Sequence, residues 1–455
     1  MLERKFTQFL EHFLMEETNK ILLVNGARQI GKSYLIRHVG KKLFTHFVEI
    51  NLKEDEEGDQ VFADVHTTSD LYMRLSNYCS EPLGDKMDTL VFLDEIQSYP
   101  HLMTMLKFLN QESRYRFIAS GSQLGVALSE TPSVPLGSVT IEQMYPLDFE
   151  EFLWATGISK EWIENMRGFF LQEKPLDDRT HQLLLKRFQY YLLVGGLPEA
   201  INNYLADRNM ARVRQTHRDI YNLYRIDASQ YDEEHKLKIR KIYDLIPSNL
   251  ENKKKRVVYK NIEGKKGKTF SDYADEFEYL TNSGVALEVS AISNPRYPLA
   301  ESEQKRLVKL YLNDVGLLTH LLYGLNVNAV LQDIKSINLG TVYESVIAQE
   351  LSAHGFKLYY YDNKKKGEVD FLIDDQEGLN ALPLEIKSGK DYTEHSALTK
   401  FLETPDYGIK RAVVFSNERE IFMKKGVTYL PIYYCMFLQN DHRGEPVILP
   451  ELEPI

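Results

Sequence analysis

The sequence has no run of about eighteen uncharged apolar residues, the length a helix needs to cross a bilayer. It also has little cysteine: Cys79 and Cys435 stand far apart, too few for a disulfide framework or a zinc cluster. The opening residues Met1-Leu2-Glu3-Arg4-Lys5-Phe6 mix charge with apolar side chains and lack the apolar stretch of a secretory signal. No internal repeat and no low-complexity tract stands out. These absences predict a cytoplasmic protein with no membrane partner. Its 43% hydrophobic and 27% charged residues suit a folded globular chain, and at 455 residues about two to four domains are expected.

Negative charge is in excess. A net charge of −11 excludes a protein that coats nucleic acid indiscriminately. One stretch runs against that trend: Lys253, Lys254, Lys255, Arg256, Lys260, Lys265, Lys266 and Lys268, opposed only by Glu263. A solvated loop and a phosphate-contacting surface are both open readings of it.

Gly26-Ala27-Arg28-Gln29-Ile30-Gly31-Lys32-Ser33 is a complete phosphate-binding loop. The apolar run Ile21 to Val24 before it reads as a buried strand, and Ser33 to Val39 reads as a helix; that setting is what the GxxxxGK[ST] pattern requires. Glycine at both ends lets backbone N–H groups and the helix N-terminus face an anion. Lys32 is placed to reach the β/γ-phosphates and Ser33 to hold Mg²⁺. Downstream, Thr89 to Asp94 reads as a central strand ending in Asp94-Glu95, with Asp94 toward Mg²⁺ and Glu95 as general base for water. The strand Arg116 to Ser120 ends in hydroxyls, with Ser120, then Ser122, as candidate sensors of the γ-phosphate; a serine-capped strand end is the bland alternative.

Together these segments resemble the AAA+ superfamily. More narrowly they resemble a prokaryotic AAA+ ATPase family whose loop reads G-x-R-Q-x-G-K-[ST] and whose acidic strand continues D-E-[IV]-Q, here Asp94-Glu95-Ile96-Gln97. Tyr145-Pro146-Leu147-Asp148-Phe149-Glu150-Glu151-Phe152 and Gly195-Gly196-Leu197-Pro198 extend the resemblance over most of residues 1–230. One departure is Gly137-Ser138, where the family often has arginine after the glycine. The resemblance implies ATP and Mg²⁺ as cofactors and a homo-oligomer. It places ATP on Gly26, Ala27, Arg28, Gln29, Ile30, Gly31, Lys32, Ser33, Asp94 and Ser120. Arg114 and Arg116 are the candidates at hand for an arginine finger.

Residues 151–229 carry helix-period apolar positions and suit a helical lid. Beyond them, Lys236 to Leu250 and Thr269 to Ser283 read as helices, and Val285 to Val289 and Leu307 to Leu312 as strands. Helix, turn, helix and hairpin predict a winged-helix-like domain over 230–329, with the basic stretch favouring nucleic acid. Lys309 to Leu318 is similar to the signature of a poorly characterised domain that accompanies this ATPase family.

A second set of charged residues lies in 330–455. Gly367 to Ile373 and Leu382 to Ser388 read as strands around a turn at Asp374 to Gly378. The period of two puts Glu385 and Lys387 on one face. Glu344 shares a helical stripe with Ile347, Ala348 and Leu351, a costly place for a carboxylate unless it is paired or bound to metal. Helix Glu, hairpin Asp370 and Glu-x-Lys resemble the PD-(D/E)xK nuclease superfamily. That resemblance assigns Asp370 and Glu385 to Mg²⁺, Lys387 to the attacking water and Glu344 to the metal's outer side; Lys364-Lys365-Lys366 could touch a phosphodiester backbone.

The expected fold class is α/β: an AAA+ P-loop ATPase core at 1–150, the helical lid, the winged-helix domain, and an α/β PD-(D/E)xK nuclease-like domain. The expected function is ATP-dependent processing or cleavage of nucleic acid, DNA first, by an ATPase with nuclease activity. The alternative is an ATP-switched regulatory or signalling protein whose nuclease-like domain binds without cutting. A metabolic kinase is disfavoured, because Asp94-Glu95 suits water activation.

Overall fold

The computed structural model describes residues 2–16, 18–79, 82–122, 124, 137–227, 235–332, 339–389 and 391–440. Its first sheet is wholly parallel. It contains β1 (Ile21–Asn25), β2 (His46–Asn51), β3 (Thr89–Asp94), β4 (Arg116–Gly121) and β5 (Val139–Gln143), in the order β2-β3-β4-β1-β5. β1, β3 and β4 are buried at every position, as strands covered on both faces must be. Because β4 stands between β1 and β3, the phosphate-binding loop, Asp94-Glu95 and Ser120-Gly121-Ser122 emerge side by side at one edge, where open α/β sheets bind ligands.

Helices Phe149–Ala155, Lys160–Leu171, Asp178–Val194, Pro198–Asp207 and Met210–Asp227 follow, then Lys236–Glu251. The helix expected over Thr269 to Ser283 is divided. Thr269 and Asp272 cap a single 3-10 turn, Phe270–Asp272, Tyr273 leaves helical space at φ −138°, and the helix proper is Ala274–Asn282.

The second sheet has eight strands, in the order β12-β13-β11-β10-β9-β8-β6-β7. They are β6 (Ala286–Ile292), β7 (Glu303–Leu312), β8 (Tyr359–Asn363), β9 (Gly367–Asp375), β10 (Asn380–Lys387), β11 (Ala412–Ser416), β12 (Phe422–Lys424) and β13 (Val427–Pro431). β6 pairs antiparallel with β7 and parallel with β8. The hairpin expected as a wing is therefore the edge of the C-terminal sheet. Its apolar residues, such as Val289 and Tyr311, are buried there rather than left on a free-standing hairpin. The boundary expected at 329/330 falls between strands that share this sheet; the one expected at 229/230 lies outside the described residues.

One apolar core joins the two sheets. It runs from Leu22 and Phe92 through Phe152 and Tyr191 to Phe371 and Phe415. Ile21, Leu23 and Leu93, one position out of phase on the same strands, fill a separate core on the other face of the first sheet. Helix Gly340–Ala353 crosses the joint core and is buried at every position from Thr341 to Leu351. Glu344 thus sits on a helix with no solvent face along that stretch.

Candidate functional site

At the end of β1 the chain turns through Gly26 at φ +147° and Gly31 at φ +96°. A Cβ on Gly26 would lie 2.4 Å from the Met144 carbonyl oxygen, so the close approach of loop and β5 end requires glycine. Gly31 caps helix Lys32–Leu43, whose N-terminus faces a cleft of about 810 Å³. Arg28, Gln29, Ile30, Gly31, Lys32, Ser33 and Glu95 line that cleft, and Pro198, Glu199 and Asn202 close it from the helical region. Lys32 is 6% exposed, and its Nζ donates to the carbonyls of Gly26 at 2.7 Å and Ala27 at 2.9 Å. Burial pushes its amine down to about 8, against the pull of Glu95 and Asp94.

Asp94 is buried and accepts hydrogen bonds from the hydroxyls of Ser120 and Ser33. Burial raises its carboxyl, and the two hydroxyls oppose the rise. Ser120 is fully buried behind Asp94, which makes it a brace for that carboxylate; it does not line the cleft. Glu95 takes φ +53°, a left-handed conformation uncommon outside glycine and asparagine. Gln97 Nε2 donates to its carboxylate, as does Ser122 Oγ at 3.3 Å. The glutamine of the Asp-Glu-Ile-Gln segment thereby acquires a role, orienting the candidate base. Arg114 and Arg116 do not line this cleft: Arg114 stacks on Tyr72 and Tyr115, and Arg116 donates to the carbonyls of Thr18 and Glu16.

The Tyr145 to Phe152 and Gly195 to Pro198 segments touch the cleft through Leu147 and Pro198, and their other residues build a joint behind it. Asp148 caps helix Phe149–Ala155, pairs with Lys5 at 2.7 Å and meets His354 at 3.2 Å. Burial opposes its ionisation, but Lys5 and His354 hold it well below the usual carboxylate range. Glu350, fully buried on helix Gly340–Ala353, accepts from the Phe149 N–H at 2.9 Å and the Tyr191 hydroxyl at 3.0 Å. Burial, then the Asp148 charge, pushes its carboxyl well above the usual carboxylate range. Gly196 donates to Asp314 at 2.6 Å, and Leu147 donates to the Gly196 carbonyl at 2.8 Å. Gln349 accepts from the Val315 N–H at 2.8 Å. The helix that packs against the ATPase side through Glu350 also carries Glu344.

Around Glu344 lies the second cluster. Leu384 on β10 opposes Phe371 on β9, so the next step of the register sets Glu385 opposite Asp370. Asp370 accepts from the Ile386 N–H at 2.9 Å, and Lys387 Nζ lies 2.9 Å from Glu385 Oε1. Burial, then the Asp370 charge, pushes Glu344 up to about 7 and Glu385 to about 8. Burial works against Lys387, but Glu385 and Asp370 raise it on balance. The expected quartet of Glu344, Asp370, Glu385 and Lys387 is brought together. Among the described residues, no group of three or more His, Cys, Asp or Glu is arranged to hold a metal ion. One oxygen each of Glu344 and Glu385 is nonetheless buried without a hydrogen-bond partner.

The basic stretch is divided between two fates. Lys255, at φ +51°, turns inward and pairs with Glu344, while Lys254 and Arg256 both pair with Asp362. Lys253, Lys260 and Lys266 are exposed. Lys366 bonds the Tyr407 hydroxyl at 2.9 Å, whereas Lys364 and Lys365 face solvent. In the sequence Lys255 is only one member of a charge run. Asp227, which pairs with Arg28 at 2.8 Å from helix Met210–Asp227, belongs to no motif and escapes sequence reasoning altogether.

Comparison with known proteins matches three segments of the chain. Residues 18–153 match the family described as AAA domain, residues 185–329 a domain of unknown function (DUF8612), and residues 339–435 a second domain of unknown function (DUF4143). No curated protein matches the chain significantly. Among solved structures it is similar to the Walker-type ATPase of Pyrococcus abyssi, at 16% identity and TM-score 0.44, covering 71% of this chain and 96% of that one. It is also similar to the RuvB Holliday junction branch migration motor of Thermotoga maritima, at 14% identity and TM-score 0.29, covering 65% and 90%. S. cerevisiae Hsp104 in its ADP complex matches at 14% identity and TM-score 0.28, covering 62% of this chain and 37% of that one. The phosphate-binding loop and Asp94-Glu95 both fall within residues 18–153, which are an AAA-type, ATP-binding domain.

Proposed function

We propose that the chain hydrolyses ATP and uses that cycle to control the C-terminal acidic site, which acts on nucleic acid as a metal-dependent phosphodiesterase. Lys32 would lie against the β/γ-phosphates, with Ser33 and Asp94 toward Mg²⁺, and Glu95 would take the proton from the attacking water as the bond to the ADP oxygen breaks. Gln97 and Ser122 keep the Glu95 carboxylate aimed. At the second site Asp370 and Glu385 would hold a divalent cation, and Lys387 would orient the water. The partnerless buried oxygens of Glu344 and Glu385 fit such an ion. Bound metal would supply neutralisation of the charge gathering on a scissile phosphate.

The observation that carries the reading is the convergence of Glu344, Asp370, Glu385 and Lys387 from a helix and two strands onto one cluster. The test is incubation of the full chain with plasmid DNA and Mn²⁺, with and without ATP. Cleavage by the native protein and its loss in Asp370→Ala, with ATP turnover retained, is the expected result. Absence of cleavage in both would leave the second reading in front, an ATP-switched protein whose C-terminal domain binds without cutting. That alternative is favoured by one ion pair: Lys255 already neutralises Glu344.

A further inference from the structure

Arg28 stands inside the phosphate-binding loop, between its two glycines, and borders two spaces. It lines the nucleotide cleft beside Lys32 and Glu95, and it lines a small niche with Ser122, Tyr224, Asp227 and Tyr279. The niche holds it. Arg28 Nη1 donates to Asp227 Oδ1 at 2.8 Å, its Nε lies 3.4 Å from Ser122 Oγ, and the Tyr224 hydroxyl donates to the Arg28 carbonyl at 2.8 Å. Ser122 in turn bonds Glu95, so the guanidinium is two hydrogen bonds from the candidate base.

Asp227 is 8% exposed, and its carboxyl is pushed up to about 6 by burial, with Glu95 adding to the rise and Arg28 and Lys32 opposing it. It therefore shares an electrostatic neighbourhood with the residues that would flank a terminal phosphate. A triphosphate along the loop brings negative charge to that spot, attracting Arg28 and repelling Asp227, so their ion pair cannot remain indifferent to it. A diphosphate reaches less far and leaves the pair largely alone. A guanidinium matches phosphate oxygens as well as it matches a carboxylate, so the exchange costs little geometry.

We infer that Arg28 is the residue by which this site distinguishes a nucleoside triphosphate from a diphosphate, and that Asp227 is the competing anion that holds it away until the γ-phosphate takes it. The inference rests on the ATP-binding reading of the loop. The Tyr279 hydroxyl donates to the Asp227 backbone carbonyl at 3.0 Å, so the residue that pairs with Arg28 is itself tied to helix Ala274–Asn282, outside the ATPase sheet.

Calorimetry of the full chain with Mg-ADP and with a non-hydrolysable Mg-ATP analogue tests it. The native protein should prefer the analogue. Arg28→Ala should lose about tenfold in analogue affinity and keep its ADP affinity within about twofold. Asp227→Asn, which preserves shape and serves if Arg28→Ala does not fold, should gain about threefold for the analogue and nothing for ADP. Equal losses for both nucleotides in Arg28→Ala, or an unchanged or weakened analogue affinity in Asp227→Asn, overturn the inference. If the native protein binds neither nucleotide, with Lys32→Ala indistinguishable from it, the reading of the loop fails and the inference falls with it.

Discussion

Asp94-Glu95 at the end of β3 and Asp370 with Glu385 on β9 and β10 are both carboxylate pairs set on strands, in contrasting surroundings. In the first pair Glu95 lines a cleft of about 810 Å³ with Asp94 buried beside it; the hydrogen-bonding groups Ser33, Gln97, Ser120 and Ser122 are neutral, and Lys32 is the cation that acts on both carboxylates. The second is packed among cations: Lys387 on Glu385, Lys255 on Glu344, and the fully buried Lys309 on Glu368 nearby at 2.6 Å. Neutral hydroxyls and amides orient a carboxylate without consuming its charge, which suits a site that must meet a ligand's metal and phosphates. Internal lysines satisfy the charge in advance, so the ligand proposed for the C-terminal site would have to displace or rearrange them. The N-terminal carboxylates thus meet mainly neutral hydrogen-bond donors, and the C-terminal ones are ion-paired to the chain's own lysines.

The largest way to break this comparison is at the open site. Glu95→Gln should retain nucleotide affinity and lose about 10²- to 10⁴-fold in steady-state hydrolysis, since the amide keeps its shape and cannot take a proton. Wild-type turnover in that variant would move the base elsewhere. Lys32→Ala should weaken nucleotide binding about 100-fold by equilibrium titration, because the loop then lacks its phosphate-facing ammonium. Undiminished affinity would remove the contrast at its root.

A pH experiment sharpens the other half. Glu344 is pushed up to about 7 and Glu385 to about 8, against ordinary carboxyl values of 4.5. The folded protein then keeps protons that the unfolded chain has released, so stability falls as pH rises from about 4.5 to about 8. Replacing both residues with glutamine should flatten that fall by roughly 1–3 kcal/mol, read from denaturant midpoints across the window. The same slope in both proteins would show that the cluster ionises freely.

Legibility in the sequence follows the same divide. The phosphate-binding loop, β3 and Glu95 are readable because strand, loop and helix are contiguous, and a strand buried on both faces is an unbroken apolar run. The β9–β10 pairing is readable from alternation. Lys255 is not, because an inward-turning lysine looks like its neighbours in a charge run, and only the fold brings it to Glu344. Asp227 is invisible for a similar reason: Arg28 is 199 positions away. The hairpin β6–β7 is legible as strands but not as part of the C-terminal sheet, since β8 is separated from it by helix Gly340–Ala353 and local pattern carries no partner.

The smallest expected effect concerns the basic stretch. With Lys254 and Arg256 paired to Asp362 and Lys255 to Glu344, the proposed nucleic-acid contact would fall to the exposed Lys253, Lys260 and Lys266. Reversing those three charges should lower the slope of log K against log salt for duplex DNA by at most about 0.9 for each phosphate that is no longer neutralised. An unchanged slope would mark the stretch as a solvated loop.

The contrast between the two carboxylate pairs is tested most directly by titrating the full chain with Mn²⁺ in the absence of nucleotide, alongside Asp370→Ala and Lys32→Ala. The account predicts a Mn²⁺ site that Asp370→Ala abolishes and Lys32→Ala leaves intact, tightening when Lys255→Ala removes the internal cation from Glu344. Equal Mn²⁺ binding by the native protein and Asp370→Ala, or none in either, would contradict it.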